Sequence, residues 1–183
     1  MFGLSIPKEY GGAGLGFVTY ILALMELAQA CPSSALILQV NQAICGAALI
    51  NFGTEAQKRK YLPPLATGEA FASFALTEPQ AGSDAGGLQS AARRDGQDWV
   101  LTGHKIFVTS GHVANFAVVA AITDPDRTPK GISAFIADFE AGVKVSRGPL
   151  EDKLGLRSAG SVSLHFDGAR LPADSLLGKE GQG

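Results

Sequence analysis

The periodicity of this chain changes once, near residue 70, and that change limits the fold more than any other feature. From Gly16 to about Ala66 the apolar residues recur at helical steps. Phe17, Tyr20, Ile21, Leu24 and Leu27 fall on one face. Pro32 stops that run, and Ser33 and Ser34 supply caps for a second helix. The second helix carries Leu36, Ile37, Val40, Ile44, Ala47, Ala48 and Ile50, and Gly53 ends it as a helix C-terminal glycine does. Thr54 and Gln57 have the spacing of a capping box for a third, short helix through Tyr61 and Leu62, bent by Pro63 and Pro64. From Phe71 onward the segments "FASFALT", "LQSAARRDG", "DWVLTGHKIFVTSG", "NFAVVAAIT", "GISAFIADF", "VKVSRGPL" and "SVSLHFDGARL" read as strands. Turn signals such as Asp95-Gly96, Asp124-Pro125 and Asp167-Gly168 separate them. Strands in succession without intervening helices argue for an antiparallel barrel or sandwich rather than a βαβ sheet. The predicted class is α+β: a helical domain over residues 1–69, then a β domain over 70–183.

Charged residues make up 17% of the chain, against about 25% in a typical domain. Much of this surface is therefore expected to be covered by something. The net charge of -2 gives no general attraction to phosphate backbone, so no nucleic-acid partner is predicted. The opening "MFGLSIPKEYGG" lacks the layout of a secretory signal. Apolar stretches such as "ILALMELAQA" are broken by Glu26 and Gln29, and none approaches the length of about 20 residues that spans a bilayer, so no membrane span is predicted. Cys31 and Cys45 then read as free thiols in the cytoplasm, or in a mitochondrial matrix if the source is eukaryotic. They have no partners at metal-ligand spacing, and His104, His112 and His165 are far apart along the chain, so no metal site is predicted.

Residues 74–84, "FALTEPQAGSD", pose the functional question. An apolar strand ends in Thr77 and a string of small residues follows. Such a loop lets a backbone approach a ligand closely, and consecutive N–H groups can cradle an anion. A plain surface turn accounts for it equally on its own. More specific motifs fail on spacing. A nucleophile elbow needs Gly two residues either side of the serine, but Ala81 and Ala85 flank Ser83. A P-loop needs a terminal Gly-Lys-Ser/Thr, which is missing, and "GGAGLG" lacks both the dinucleotide spacing and a preceding strand. Some twenty residues on, "KIFVTSG" is a second apolar strand ending in Thr and Ser.

"FALTEPQAGSD", "GHKIFVTSG" and "KLGLRSAGSVSLHFDGARLPADSLLGKEGQG" resemble the middle β domain of the acyl-CoA dehydrogenase family. "IPKEYGGAGLG" and "GTEAQKRKYLPPLATGE" resemble its N-terminal helical domain. The resemblance implies an FAD enzyme that removes two hydrogens from the α and β carbons of an acyl-CoA, a base taking the α proton and flavin N5 the β hydride. It implies a flavin edge along Phe74, Ala75, Leu76 and Thr77, with close passage at Gly82 and Ser83. Ser83 is implied to touch substrate as well. Phe107, Val108 and Thr109 would form the second flavin-facing strand, Phe107 against the ring and Thr109 near N5. Phe107 stands where relatives often carry Trp, and Gln80 stands where Gly is commonest, so position 80 need not be left-handed. Residues around "LILQVNQAI" are implied to line the acyl pocket.

The family's base is a Glu in a C-terminal four-helix domain. Glu26, Glu55, Glu78, Asp84 and Glu151 match no catalytic position, so no catalytic residue is predicted and the chain reads as a fragment, inactive alone. An electron-transfer flavoprotein is the implied acceptor, and a homotetramer or homodimer the implied full-length assembly. Alternatives are an acyl-CoA oxidase or flavin monooxygenase of the same fold, a non-catalytic nucleic-acid-binding flavoprotein, or an interaction domain without flavin.

Overall fold

Four α-helical segments precede the first strand: α1 (Phe17–Ala30), α2 (Pro32–Gln39), α3 (Ala47–Phe52) and α4 (Glu55–Thr67). The structure, a computed structural model, describes residues 1–127 and 130–183. A π-helical stretch, Val40–Gly46, joins α2 to α3, so Pro32–Phe52 is one continuous rod. Pro32 ends α1 but also opens α2, at a position where its missing N–H is no loss. Ser33 and Ser34 therefore lie inside the helix instead of capping it, and Cys31 holds the N-cap place. The expected capping box is present. Gln57 N–H donates to Thr54 Oγ1 at 3.2 Å, and Thr54 N–H donates to Gln57 Oε1 at 2.9 Å. Pro63 and Pro64 sit within α4, which closes on Gly68 at φ +82°. Gly53 is extended, at φ -70°. Glycine serves there for space, because a Cβ would lie 2.5 Å from the Leu49 carbonyl oxygen.

The rod Pro32–Phe52 has the length and mean hydropathy, 1.5, of a membrane span. This corrects the expectation that no apolar stretch is long enough. Its Val40, Cys45 and Leu49 pack with Leu62 and Leu65 of α4 and with strand residues Ala72, Phe116 and Val118, so this apolar surface serves a protein core. Buried Asn41 fixes the π stretch to the sheet. Its Nδ2 donates to the Ile37 carbonyl at 3.0 Å and its Oδ1 accepts the Ala72 N–H at 2.9 Å. Asn41→Ala would strand that buried N–H. The expected cost is about 1–3 kcal/mol, read as a fall in the urea midpoint with an unchanged slope.

The strands are β1 (Ala72–Ala75), β2 (Ala91–Asp95), β3 (Asp98–Thr109), β4 (Phe116–Ile122), β5 (Ile132–Asp138), β6 (Ser146–Arg147), β7 (Ser161–Leu171) and β8 (Leu176–Leu177). They form one sheet in the order β6-β7-β3-β2-β4-β5-β8, with β1 beside β4. Most pairings are antiparallel. β1 runs parallel to β4, and β2 touches β4 in parallel at Ala91 and Ile122. Asp95-Gly96 turns the β2–β3 hairpin, with Gly96 at φ +64°. Asp167-Gly168, read as a turn, instead lies inside β7 where the register with β3 shifts, and Gly168 at φ +62° absorbs the irregularity. His104 and His165 are brought together across β3 and β7, their rings stacked 3.7 Å apart.

The run "FAVVAAI" in β4 is apolar throughout because both its faces are buried. Ala117, Val119 and Ala121 face a core with Trp99, Phe135 and Leu164. Phe116 and Val118 face the helices. The helical region and the sheet thus share one core across the change in periodicity near residue 70.

Candidate functional site

Two strand ends meet on the sheet. The Ile106 N–H donates to the Thr77 carbonyl at 2.8 Å, setting the chain after β1 alongside the end of β3. There β3 bulges, its register with β7 shifting between Lys105 and Val108. Inside the bulge Phe107 takes φ +56°, a strained backbone for a bulky residue, and is 62% exposed. Packing among the described residues does not account for a strained aromatic held out to solvent, which keeps Phe107 a candidate ligand contact. Ser110, three residues on, is also left-handed, at φ +62°. Half-buried Thr109 has its hydroxyl 3.5 Å from Ser161 Oγ, which Lys153 Nζ also approaches at 3.4 Å.

Beneath this strand pair lies a buried ion pair. Lys105 is fully buried and Glu78 is 3% exposed. Lys105 Nζ donates to Glu78 Oε1 at 2.7 Å and to the Leu76 carbonyl at 3.1 Å. Glu78 also accepts the Gln89 N–H at 2.7 Å, the Ser90 N–H at 3.0 Å and the Gln80 amide at 2.6 Å. Burial pushes the Glu78 carboxyl up, but the hydrogen bonds from Lys105, Ser90 and Gln89 outweigh it and bring it down to about 2. Burial pulls the Lys105 ammonium down, and Glu78 opposes that pull. The carboxylate thus ties both ends of the 78–90 loop to the strand that carries Phe107. Gln80 takes part in this knot without a left-handed backbone, as its departure from Gly suggests. The Glu78–Lys105 pair is absent from the expectations drawn above. Its sequence signal is a lysine set inside the apolar strand "KIFVT".

The loop tip holds Gly82 and Ser83, both exposed. Gly82 has no positive φ, and a Cβ there would meet nothing within 4 Å. Neither strain nor crowding within the described residues requires glycine at that position. Of the other site residues, Phe74 and Leu76 line a cavity, while Ala75 and Val108 are buried in the core of the sheet and can present only backbone. The cavity, about 620 Å³, lies between the helical rod and the sheet. Ala43, Ile44, Ala47 and Ala48 form one wall, and Phe74, Leu76, Val118 and Ala134 the other. Two of these wall residues, Ala43 and Ile44, belong to the "LILQVNQAI" segment. Among the described residues no cluster of three or more His, Cys, Asp or Glu has the arrangement of a metal site.

An apolar slot between helices and sheet, an out-turned aromatic at the end of β3 and a pinned loop of small residues make up the candidate ligand site. The chain matches the acyl-CoA dehydrogenase N-terminal domain over residues 1–69 and the acyl-CoA dehydrogenase middle domain over residues 73–169. It belongs to the acyl-CoA dehydrogenase family. The short-chain specific acyl-CoA dehydrogenase of Clostridium acetobutylicum is 44% identical over the whole chain, which covers 48% of that protein. A chain from a structure of the electron transferring flavoprotein of Acidaminococcus fermentans is 42% identical, with TM-score 0.95 over 99% of this chain and 47% of its own length. Glutaryl-CoA dehydrogenase of Mycobacterium smegmatis, solved in complex with FADH2, is 36% identical, with TM-score 0.88 over 99% of this chain and 45% of its own length. The chain spans about half the length of the relatives it matches.

Proposed function

We propose that this chain forms the helical and β walls of an FAD-dependent acyl-CoA dehydrogenase that converts an acyl-CoA to its 2-enoyl thioester. The strained, exposed Phe107 beside Thr77 carries the reading, because a planar apolar ring system laid on Phe107 would remove it from water. Bound FAD would supply the hydride acceptor for the β carbon, and the protein's share is to bind, orient and exclude water. Phe74 to Thr77 and Phe107 to Thr109 hold the flavin ring, with hydroxyl contacts from Thr77 and Thr109. Gly82 and Ser83 let cofactor and thioester pass close to the backbone, and Ser83 touches both. Ala43, Ala47 and Leu76 wall the acyl group off from solvent. Glu78 is ill-placed to take the α proton, since its carboxylate is committed to Lys105, Gln89, Ser90 and Gln80. We assign the base to a glutamate outside these residues, as the family resemblance implies. An electron-transfer flavoprotein is the proposed acceptor, and residues 1–183 alone are proposed to be inactive.

The test is flavin content and acceptor-coupled oxidation of short acyl-CoAs by the full-length protein. Turnover with oxygen and no added acceptor would instead favour an oxidase, and flavin-free preparations would sink the reading. Thr109→Ala should weaken flavin binding by about 0.5–1.5 kcal/mol, or shift its potential by a matching amount, since one neutral hydrogen bond is lost. An unchanged affinity, potential and visible spectrum would count against this place for Thr109.

A further inference from the structure

Thr109 and Ser161 face each other across β3 and β7 as a register pair, which sets their hydroxyl oxygens 3.5 Å apart. Ser161 is buried, and its Oγ is also 3.4 Å from Lys153 Nζ, which donates to the Ala159 carbonyl as well. The loop that carries the lysine closes on itself. The Ala159 N–H donates to the Leu156 carbonyl at 3.0 Å, and the Arg157 guanidinium donates to the Lys153 carbonyl at 3.1 Å. The adjacent Asp152 pairs with Arg157 at 2.9 Å, and among the described residues no carboxylate lies within ion-pair distance of Lys153. The half-buried ammonium is thus turned toward two neutral oxygens, one of them the Ser161 hydroxyl, and not toward a counter-ion.

The three groups differ in what they can do. An ammonium only donates, whereas a hydroxyl both donates and accepts. Ser161 Oγ accepts from Lys153, so its own proton is left for Thr109 Oγ1. Thr109 then accepts from Ser161, and its proton points away from the pair. Among the described residues the Thr109 hydroxyl has no other partner. Both contacts are at the long end for hydrogen bonds, so the row transmits direction more than strength. Without the lysine, the same pair of hydroxyls could run either way.

We propose that Lys153 and Ser161 are positioning residues that fix the Thr109 hydroxyl as a donor toward flavin N5. This rests on the reading that Thr109 lies near N5. Oxidised N5 accepts a hydrogen bond and reduced N5 donates one. A Thr109 proton held outward therefore favours the oxidised cofactor, and the row ending at Lys153 biases the flavin's redox balance without touching it.

In the experiment the full-length protein is stripped of flavin and titrated with FAD, and the potential of the reloaded flavin is measured. Thr109→Val should weaken oxidised FAD by roughly three- to tenfold, the worth of one neutral hydrogen bond. Ser161→Ala and Lys153→Met should each weaken it by about threefold through the Thr109 hydroxyl, the factor lost when a rotor is freed over three staggered positions. Combined with Thr109→Val, either substitution should therefore cost about threefold less than it does alone. Ser161→Ala keeps the charge of Lys153, so it should leave reduced FAD unweakened and raise the potential. Costs that simply add to that of Thr109→Val, or oxidised and reduced FAD weakened alike by Ser161→Ala, would make the two residues plain supports of the loop. Either result overturns the positioning role and leaves Thr109 beside N5. If Thr109→Val alone changes neither affinity nor potential, the place of Thr109 at N5 falls and the positioning role falls with it.

Discussion

Lys105→Ala is expected to destabilise the protein by about 3–5 kcal/mol, because it leaves the Glu78 carboxylate buried without its counter-ion. The loss should exceed that of an ordinary large-to-small change on an exposed face, since the same ammonium also holds the Leu76 carbonyl. Replacing both partners, as Lys105→Met with Glu78→Leu, should recover part of the stability while leaving the Gln89 and Ser90 N–H groups without their acceptor. Acid gives an independent reading. Glu78 is held down at about 2 in the folded chain, against 4.5 as its ordinary value. Its contribution is complete above the unfolded value and drains away as pH falls from there toward 2, with stability dropping by about 3 kcal/mol across the window. Denaturant melts across that range should show the fall in the parent and a shallower one in Glu78→Gln. Equal slopes in both would show that the carboxylate is not ionised in the folded state.

Ser83→Leu should have the opposite profile, with stability intact and ligand binding lost. Ser83 is exposed at the loop tip, and its neighbour Gly82 has open space around it, so a larger side chain disturbs nothing in the chain itself. A cofactor and thioester passing over that backbone would be displaced by the leucine. Overpacking commonly costs about 1–3 kcal/mol, so FAD or acyl-CoA affinity should fall roughly ten- to hundredfold. Titration of the full-length variant with each ligand decides it. Affinities equal to the parent's would mean that "AGSDAGG" is a surface turn and nothing more.

What could be read in advance divides along the range of the interactions. The helical periods and the Thr54–Gln57 box depend on neighbours in sequence, and the structure repeats them. The family resemblance made Phe107 a candidate, but its strain comes from a bulge set by pairing with β7, some fifty residues later. Glu78 passed as one more carboxylate because its partners lie at positions 89, 90 and 105. Asp167-Gly168 carries a turn signal of full strength and still lies within a strand, since tertiary pairing overrode the local preference. Pro32 was legible as a stop; its second role as the first residue of the next helix requires knowing how tightly the helices follow one another.

The parallel seat of β1 against β4 has a consequence for how the chain is made. Ala72 pairs with Phe116, so the strand that follows the helices finds its partner only 44 residues later. Contacts of such separation must pay loop-closure entropy before they return anything, and they slow folding. On a ribosome delivering about 5–20 residues each second, the helical region would wait several seconds with its sheet-facing side uncovered. The β2–β3 hairpin, closed by a short turn, can form at once in the meantime. A nascent chain arrested after the hairpin but before Phe116 should therefore hold a formed hairpin beside helices still open to protease, and the interval before β4 emerges is when a chaperone would find most to bind.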